Sequence, residues 1–305
     1  MLKHLFLPDT LETQRLFHGR GHAYPGLEHI CIDWFAPVVL ITAYKEIEAE
    51  LLAQLVAFYQ QSPRVESIQL QQRYQRQAPV SVLAGAEVNE LVLLENGLKY
   101  HATLGRSQNH GLFLDMLNGR DWVRDNSKNK RVLNLFAYTC AFSVAAQAGG
   151  AQKVVNLDMS KAALRRGREN HNLNGQPTDN IQFEALDLFK SFGRVRKYGP
   201  YDLIICDPPA FQKGSVNIAR DYKKIIRRLP EFAADQALVM LCLNAPDLDQ
   251  AFLRQTVADN CQQCEYLADL SAPEVFKEAI KGKGLKIQIY RYHAPAPSTQ
   301  AETAD

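Results

Sequence analysis

Four polar residues stand where apolar, strand-like runs of this chain end. Asn134 lies near the end of "RVLNLFAY", Asp158 closes "KVVNLD", Asp187 closes "IQFEALD" and Asp207 closes "YDLIICD". Strands so apolar are covered on both faces, as in a parallel α/β sheet, and such sheets hold ligands beyond the carboxyl ends of their strands. The four groups would then share one crevice. After Asp207 come Pro208, Pro209 and Phe211. Two prolines supply no N–H and leave carbonyls on a stiff loop. An acid, free carbonyls and a ring suit a planar donor such as a nucleobase amine. Taken singly, each acid could be a helix cap and the "DPP" a strand ending in a turn.

The loop "FAYTCAF" between Asn134 and the next helix puts an amide-rich helix start where a carboxylate or phosphate can sit. Asp158, 24 residues after Asn134, has the spacing of an acid that meets a ribose diol, and Asp187 could accept from an adenine amine. A dinucleotide site would want G-x-G-x-x-G in that loop, and the loop has no glycine. This disfavours a pyrophosphate and leaves S-adenosylmethionine as the better ligand.

These groups need a scaffold of matching length. With 305 residues, 46% apolar and 22% charged, the sequence reads as an ordinary globule with one large core and a smaller module. From residue 130 on, strand-length apolar runs alternate with amphipathic segments, as in a doubly wound α/β fold whose last two strands form an antiparallel edge. Upstream, strands dominate around one helix at 45–61. The expected division is a smaller α+β module at 1–105, a cofactor-binding domain at 106–293 that begins with a linker, and a disordered tail at 294–305. The start is unlike a secretory signal and no run is long enough to span a membrane, so the expected location is the cytosol.

Other motifs read more plainly. Six cysteines lie mostly within apolar runs, as reduced thiols do. Cys261 and Cys264 have metal-ligand spacing without a second pair, and the glycines of "HGRGH" argue against a helical His18/His22 pair, so no metal is expected. A net charge of +2 announces no nucleic acid. Basic clusters at 15–22, 73–76, 193–199, 220–228 and 281–286 would be a phosphate footprint only if several flanked one pocket.

The stretches "GLFLD", "NLFAYTCAFSVAAQAGGAQKVVNLDMSKAAL" and "YDLIICDPPAF" resemble class I S-adenosylmethionine-dependent methyltransferases related to the bacterial 23S rRNA guanine-N7 and cytosine-C5 enzymes. The likeness covers roughly residues 90–292. It implies a seven-stranded Rossmann-like sheet with a reversed last hairpin. It also implies Asn134, Phe136 and Tyr138 at the methionine end of the cofactor, Asp158 with Met159 at the ribose, Asp187 at the adenine, and Asp207-Pro208-Pro209 with Phe211 on the methyl-accepting side. The chain departs from its relatives at Cys140, where they usually carry glycine, and at Leu117, where an arginine often follows "FLD". No PUA-like or THUMP-like domain is visible.

The methylated atom follows from what is absent. Carbon methylation of cytosine needs a thiolate just past the fifth strand. Asn244 stands there, and Cys242 is still inside the apolar run. The sequence therefore points to a base nitrogen in RNA, with 23S rRNA or a ribosomal particle as the expected partner. Cytosine-C5 transfer, a protein or small-molecule acceptor, and a noncatalytic RNA-binding assembly factor are the alternatives.

Overall fold

The computed structural model describes residues 2–105, 109–212 and 216–295. The chain opens with β1 (Gln14–His18), β2 (Ile30–Phe35), β3 (Val38–Ala43), helix α1 (Ala49–Gln60), β4 (Ser67–Gln72) and β5 (Val80–Gly85), which form one sheet in that order. Its central strands β2 and β3 are buried throughout. A hairpin follows, β6 (Glu90–Glu95) and β7 (Leu98–Thr103), turning at Asn96 and Gly97, both with positive φ.

The expected linker is partly helical, as α2 (Leu117–Asp125). Then come β8 (Arg131–Leu135), α3 (Ala141–Ala148), β9 (Lys153–Asp158), α4 (Lys161–Leu173), β10 (Ile181–Ala185), α5 (Phe192–Tyr198) and β11 (Tyr201–Cys206). The short pair β12 (Phe211–Gln212) and β13 (Val216–Asn217) leads into α6 (Ile218–Ile226), β14 (Ala233–Leu243), α7 (Gln250–Asn260), β15 (Cys264–Leu270) and β16 (Lys286–Tyr292).

The large sheet has seven strands in the order β10-β9-β8-β11-β14-β16-β15. The first five run parallel, and β16 is antiparallel to both β14 and β15. This is the expected class I methyltransferase sheet with a reversed final hairpin. Strand order reverses between β8 and β11, and a crevice opens at such a switch point.

One apolar cluster joins Phe35, Val38 and Leu40 of the first sheet to Leu93, Tyr100 and Ala102 of the hairpin, and to Val144 of α3. The hairpin, placed upstream by the sequence reading, is also bound to the large sheet's layer. Arg120 of α2 makes a buried two-point ion pair with Glu95 (2.5 and 2.6 Å). Asn170 of α4 accepts from the His101 amide at 2.8 Å. No helix among the described residues is long and apolar enough to cross a membrane. Of the expected tail, residues 296–305 lie outside the described residues.

Candidate functional site

The loop after β8 is the first wall of the crevice. Phe136, Tyr138 and Cys140 all take left-handed backbone angles, with φ of 59°, 47° and 60°. Alternating left-handed residues are what glycines at every second position would provide, and here side chains bear the strain instead. The sequence reading took the missing glycines as disfavouring a pyrophosphate; the left-handed conformation is present without them. Cys140 is accommodated because α4 carries Gly167 opposite, where an added Cβ would stand 2.4 Å from the Cys140 sulfur.

Asp158 holds this loop in place. One carboxylate oxygen accepts from the Tyr138 amide (2.9 Å) and the other from the Ser160 amide (2.8 Å). The half-buried carboxylate keeps further lone pairs, so it can still accept from a diol. Ser160 caps α4, as expected, by accepting from Ala163 N at 3.2 Å. Met159 beside it is exposed. At the end of β10, Asp187 is half-buried and caps a short turn by accepting from the Phe189 amide (3.0 Å).

Asn134 lies differently from the other candidates. Its side chain is enclosed in the sheet and donates to Asn156 (2.9 Å). Asn156 donates to Ser143 (2.9 Å), which contacts His171 Nε2 (2.9 Å). His171 Nδ1 faces Gln176 Oε1 at 2.6 Å, and the Gln176 amide donates to Val144 O. Nδ1 therefore carries the proton and Nε2 accepts from Ser143. Burial pushes the His171 pKa down to about 4, so the ring is neutral. This relay stiffens the floor under the loop, and the carbonyl oxygen of Asn134 is left without a partner.

Asp207 follows β11 at the switch point, with Pro208 buried and Pro209 exposed. Burial, reinforced by the nearby negative charge of Asp115 and opposed by Arg120, pushes its pKa up to about 7. Burial also raises Asp115. Beneath them Tyr222 of α6 donates to the carbonyls of Cys206 (3.2 Å) and Cys242 (2.9 Å), tying the ends of β11 and β14 together. Cys206 and Cys242 are both enclosed, and burial pushes both thiols up. Cys242 is thus core, as its apolar run implied. The backbone of Phe211 lies in β12, and its side chain falls outside the described residues.

Sequence reasoning missed a cavity of about 1120 Å³. Asp115 and Asn244 line it together with β1–β4 and the segment 269–286. That segment is clasped onto the first sheet. The Ala279 amide donates to Gly21 O (2.7 Å), and the Phe276 ring lies 4.9 Å from the Arg15 guanidinium. Gly21 permits the contact, since a Cβ there would sit 1.9 Å from Lys277 O. The glycines of "HGRGH" therefore serve close approach. Cys261 and Cys264 meet at 3.3 Å at the far end of α7.

Comparison with known proteins agrees with this geometry. The family described as S-adenosylmethionine-dependent methyltransferase matches residues 14–291. The ribosomal RNA large subunit methyltransferase I of Aeromonas salmonicida (strain A449) is 30% identical over 82% of this chain and 65% of its own length. The ribosomal RNA large subunit methyltransferase K of Neisseria meningitidis serogroup B is 32% identical over 63% of this chain and 55% of its own length. This chain thus spans less than two thirds of both relatives. The crystal structure of SMU.776 complexed with SAH superposes with a TM-score of 0.83 at 27% identity, covering 93% of this chain and 76% of that one.

Proposed function

The chain belongs to the S-adenosylmethionine-dependent methyltransferases, and from that premise we propose that it methylates a base nitrogen of large-subunit ribosomal RNA. When bound, S-adenosylmethionine supplies a methyl group on a positively charged sulfonium. Asp158 accepts from the ribose hydroxyls, and its hold on the Tyr138 amide keeps the Phe136–Cys140 loop in register with the methionine end. Met159 adjoins Asp158 at the ribose, and Asp187 borders the adenine. Asn134 acts from below, as the first member of the relay that supports the loop.

Asp207 and the Pro208 carbonyl orient the acceptor base by accepting from its amine or ring N–H. Water is kept out by the buried ends of β11 and β14. The observation that carries the nitrogen assignment is the acid-and-diproline turn at the switch point with only enclosed thiols beside it. A cytosine-carbon mechanism would need one of those thiols as an exposed thiolate. We assign RNA recognition to the residues before 106 and the reaction to the cytoplasm.

The test is single-turnover transfer of a labelled methyl group to deproteinised 23S rRNA and to ribosomal particles, with nuclease digestion and mass analysis of the product. A methylated base nitrogen is expected. Label on a cytosine carbon would overturn the choice of atom. Cofactor binding with no label on any RNA would leave the noncatalytic assembly factor as the better reading.

A further inference from the structure

Resting on the ribosomal RNA reading above, we propose that the 1120 Å³ cleft holds a single-stranded stretch of RNA leading into the methyl-transfer site. Its phosphates would lie on Arg20 and Arg73 along one wall and on Lys281 and Lys283 along the other. The cleft exceeds the roughly 300–1,000 Å³ of a small-molecule site, so it fits a polymer better than a metabolite. Three of the five basic clusters in the sequence, at 15–22, 73–76 and 281–286, contribute residues to it. They are far apart in the chain, and the clasp of segment 269–286 on the first sheet brings them face to face.

The two walls differ in how they present charge. Arg20 and Arg73 lie over the Tyr44 ring, with guanidinium carbons 4.3 and 5.4 Å from its centre. Stacking holds both planar groups against the ring, and a guanidinium so held can meet a phosphate oxygen edge-on. Arg15, also in the cleft, is engaged by Asp33. Lys281 and Lys283 are exposed on a loop with glycines at 282 and 284. Of the three acids on that wall, Asp269 is paired with Arg254 (2.8 Å), Glu278 lies 3.8 Å from His18, and Glu274 is exposed to solvent. His18 is pushed down to about 3, by burial and then by Arg15 and Arg20, which agrees with a positive field there.

The floor of the cleft points to the same use. Asn244, exposed at the end of β14, the strand beside β11, lines the cleft, and a base delivered toward Asp207 would pass it. Its loop is held by Lys286, which is buried and donates to Ala245 O at 2.7 Å. A strand threaded through the cleft and splayed at this point would present one unstacked base to the acids, as chemistry on a base requires.

The experiment uses a fluorescein-labelled single-stranded RNA oligonucleotide of mixed sequence, titrated by anisotropy across a salt series. Wild type is compared with Arg20→Ala/Arg73→Ala and with Lys281→Ala/Lys283→Ala. Each pair should weaken RNA binding about tenfold, and the slope of log affinity against log salt should fall by about 0.7 per contact removed. Affinity for S-adenosylmethionine and the melting temperature should stay at wild-type values, which controls for folding. If wild type methylates ribosomal RNA and both variants bind and methylate it equally well, the cleft assignment fails and the function stands. If wild type neither binds nor methylates RNA, the functional reading fails and the cleft assignment falls with it.

Discussion

A carboxylate with a pKa near 7 sits where the chemistry is assigned, and this has consequences for both stability and rate. In the unfolded chain Asp207 would ionise near the ordinary aspartate value of about 4; in the fold burial and Asp115 hold its proton up to about pH 7. A raised folded pKa gives stability that is full below the unfolded value and lost as pH climbs through the folded one. Asp207→Asn should therefore raise the melting temperature at pH 8 more than at pH 5. The same variant should lose about a hundredfold in turnover through mispositioning, with cofactor affinity unchanged. Wild-type turnover should rise through pH 7 as the accepting form appears. Melting curves at the two pH values test the first claim, and a flat wild-type rate across pH 6–8 would sink the assigned role. Asp158→Ala removes hydrogen bonds to charge worth about 1.5–3 kcal/mol each and also frees the Tyr138 amide. Calorimetry should show S-adenosylmethionine affinity falling by one to two orders of magnitude. Unchanged affinity in a folded variant would remove the ribose assignment. Both acids were legible in the sequence because each ends an apolar run. The enclosed position of Asn134 was not, because a strand buried on both faces does not show in its sequence whether a polar residue near its end faces the crevice or a buried polar partner.

Elements matter here through the few contacts that set their spacing. Helix α2 lies in the stretch read as a linker, since Gly119 and a run of polar residues hide its periodicity. Its buried Arg120 binds Glu95 of the hairpin, an ion pair formed between elements that no local pattern joins. Arg120→Met should cost about 3–5 kcal/mol, because Glu95 would remain buried and uncompensated. Adding Glu95→Leu should recover most of that loss, since replacing both charges by apolar groups restores a matched interior. Chemical denaturation of the single and double variants tests this, and equal loss in both would mean that the contact matters for shape alone. The parallel strands and their order of appearance were legible for the opposite reason. Strands buried on both faces read as continuous apolar runs, and β8, β9, β11 and β14 all do. Strands β1 and β5 were missed because one is short and bulged and the other is largely exposed along its length. The left-handed loop at Phe136, Tyr138 and Cys140 was hidden because its usual marker, glycine, is absent.

At the scale of the whole molecule, the ends of the chain determine the shape of the cleft between them. Residues 20–22 and 277–279 meet through the Ala279 to Gly21 hydrogen bond and a bridge between His22 and Glu278. The sequence shows only glycines flanking an arginine, and a contact across some 250 positions leaves no periodic trace. The glycine's role becomes visible only beside the backbone it touches. Gly21→Ala would place a methyl group 1.9 Å from Lys277 O, which is main chain and cannot swing aside as a side chain can. Overpacking of this kind costs about 1–3 kcal/mol, and segment 269–286 can relieve it by lifting off the first sheet. Trypsin should then cut faster after Lys277, Lys281 and Lys283. RNA affinity should fall because the lysine wall no longer faces Arg20 and Arg73, while S-adenosylmethionine affinity should hold because the loop after β8 lies outside the clasp. Digestion and binding at wild-type rates would show that the clasp gives way without opening, and that the cleft does not depend on it.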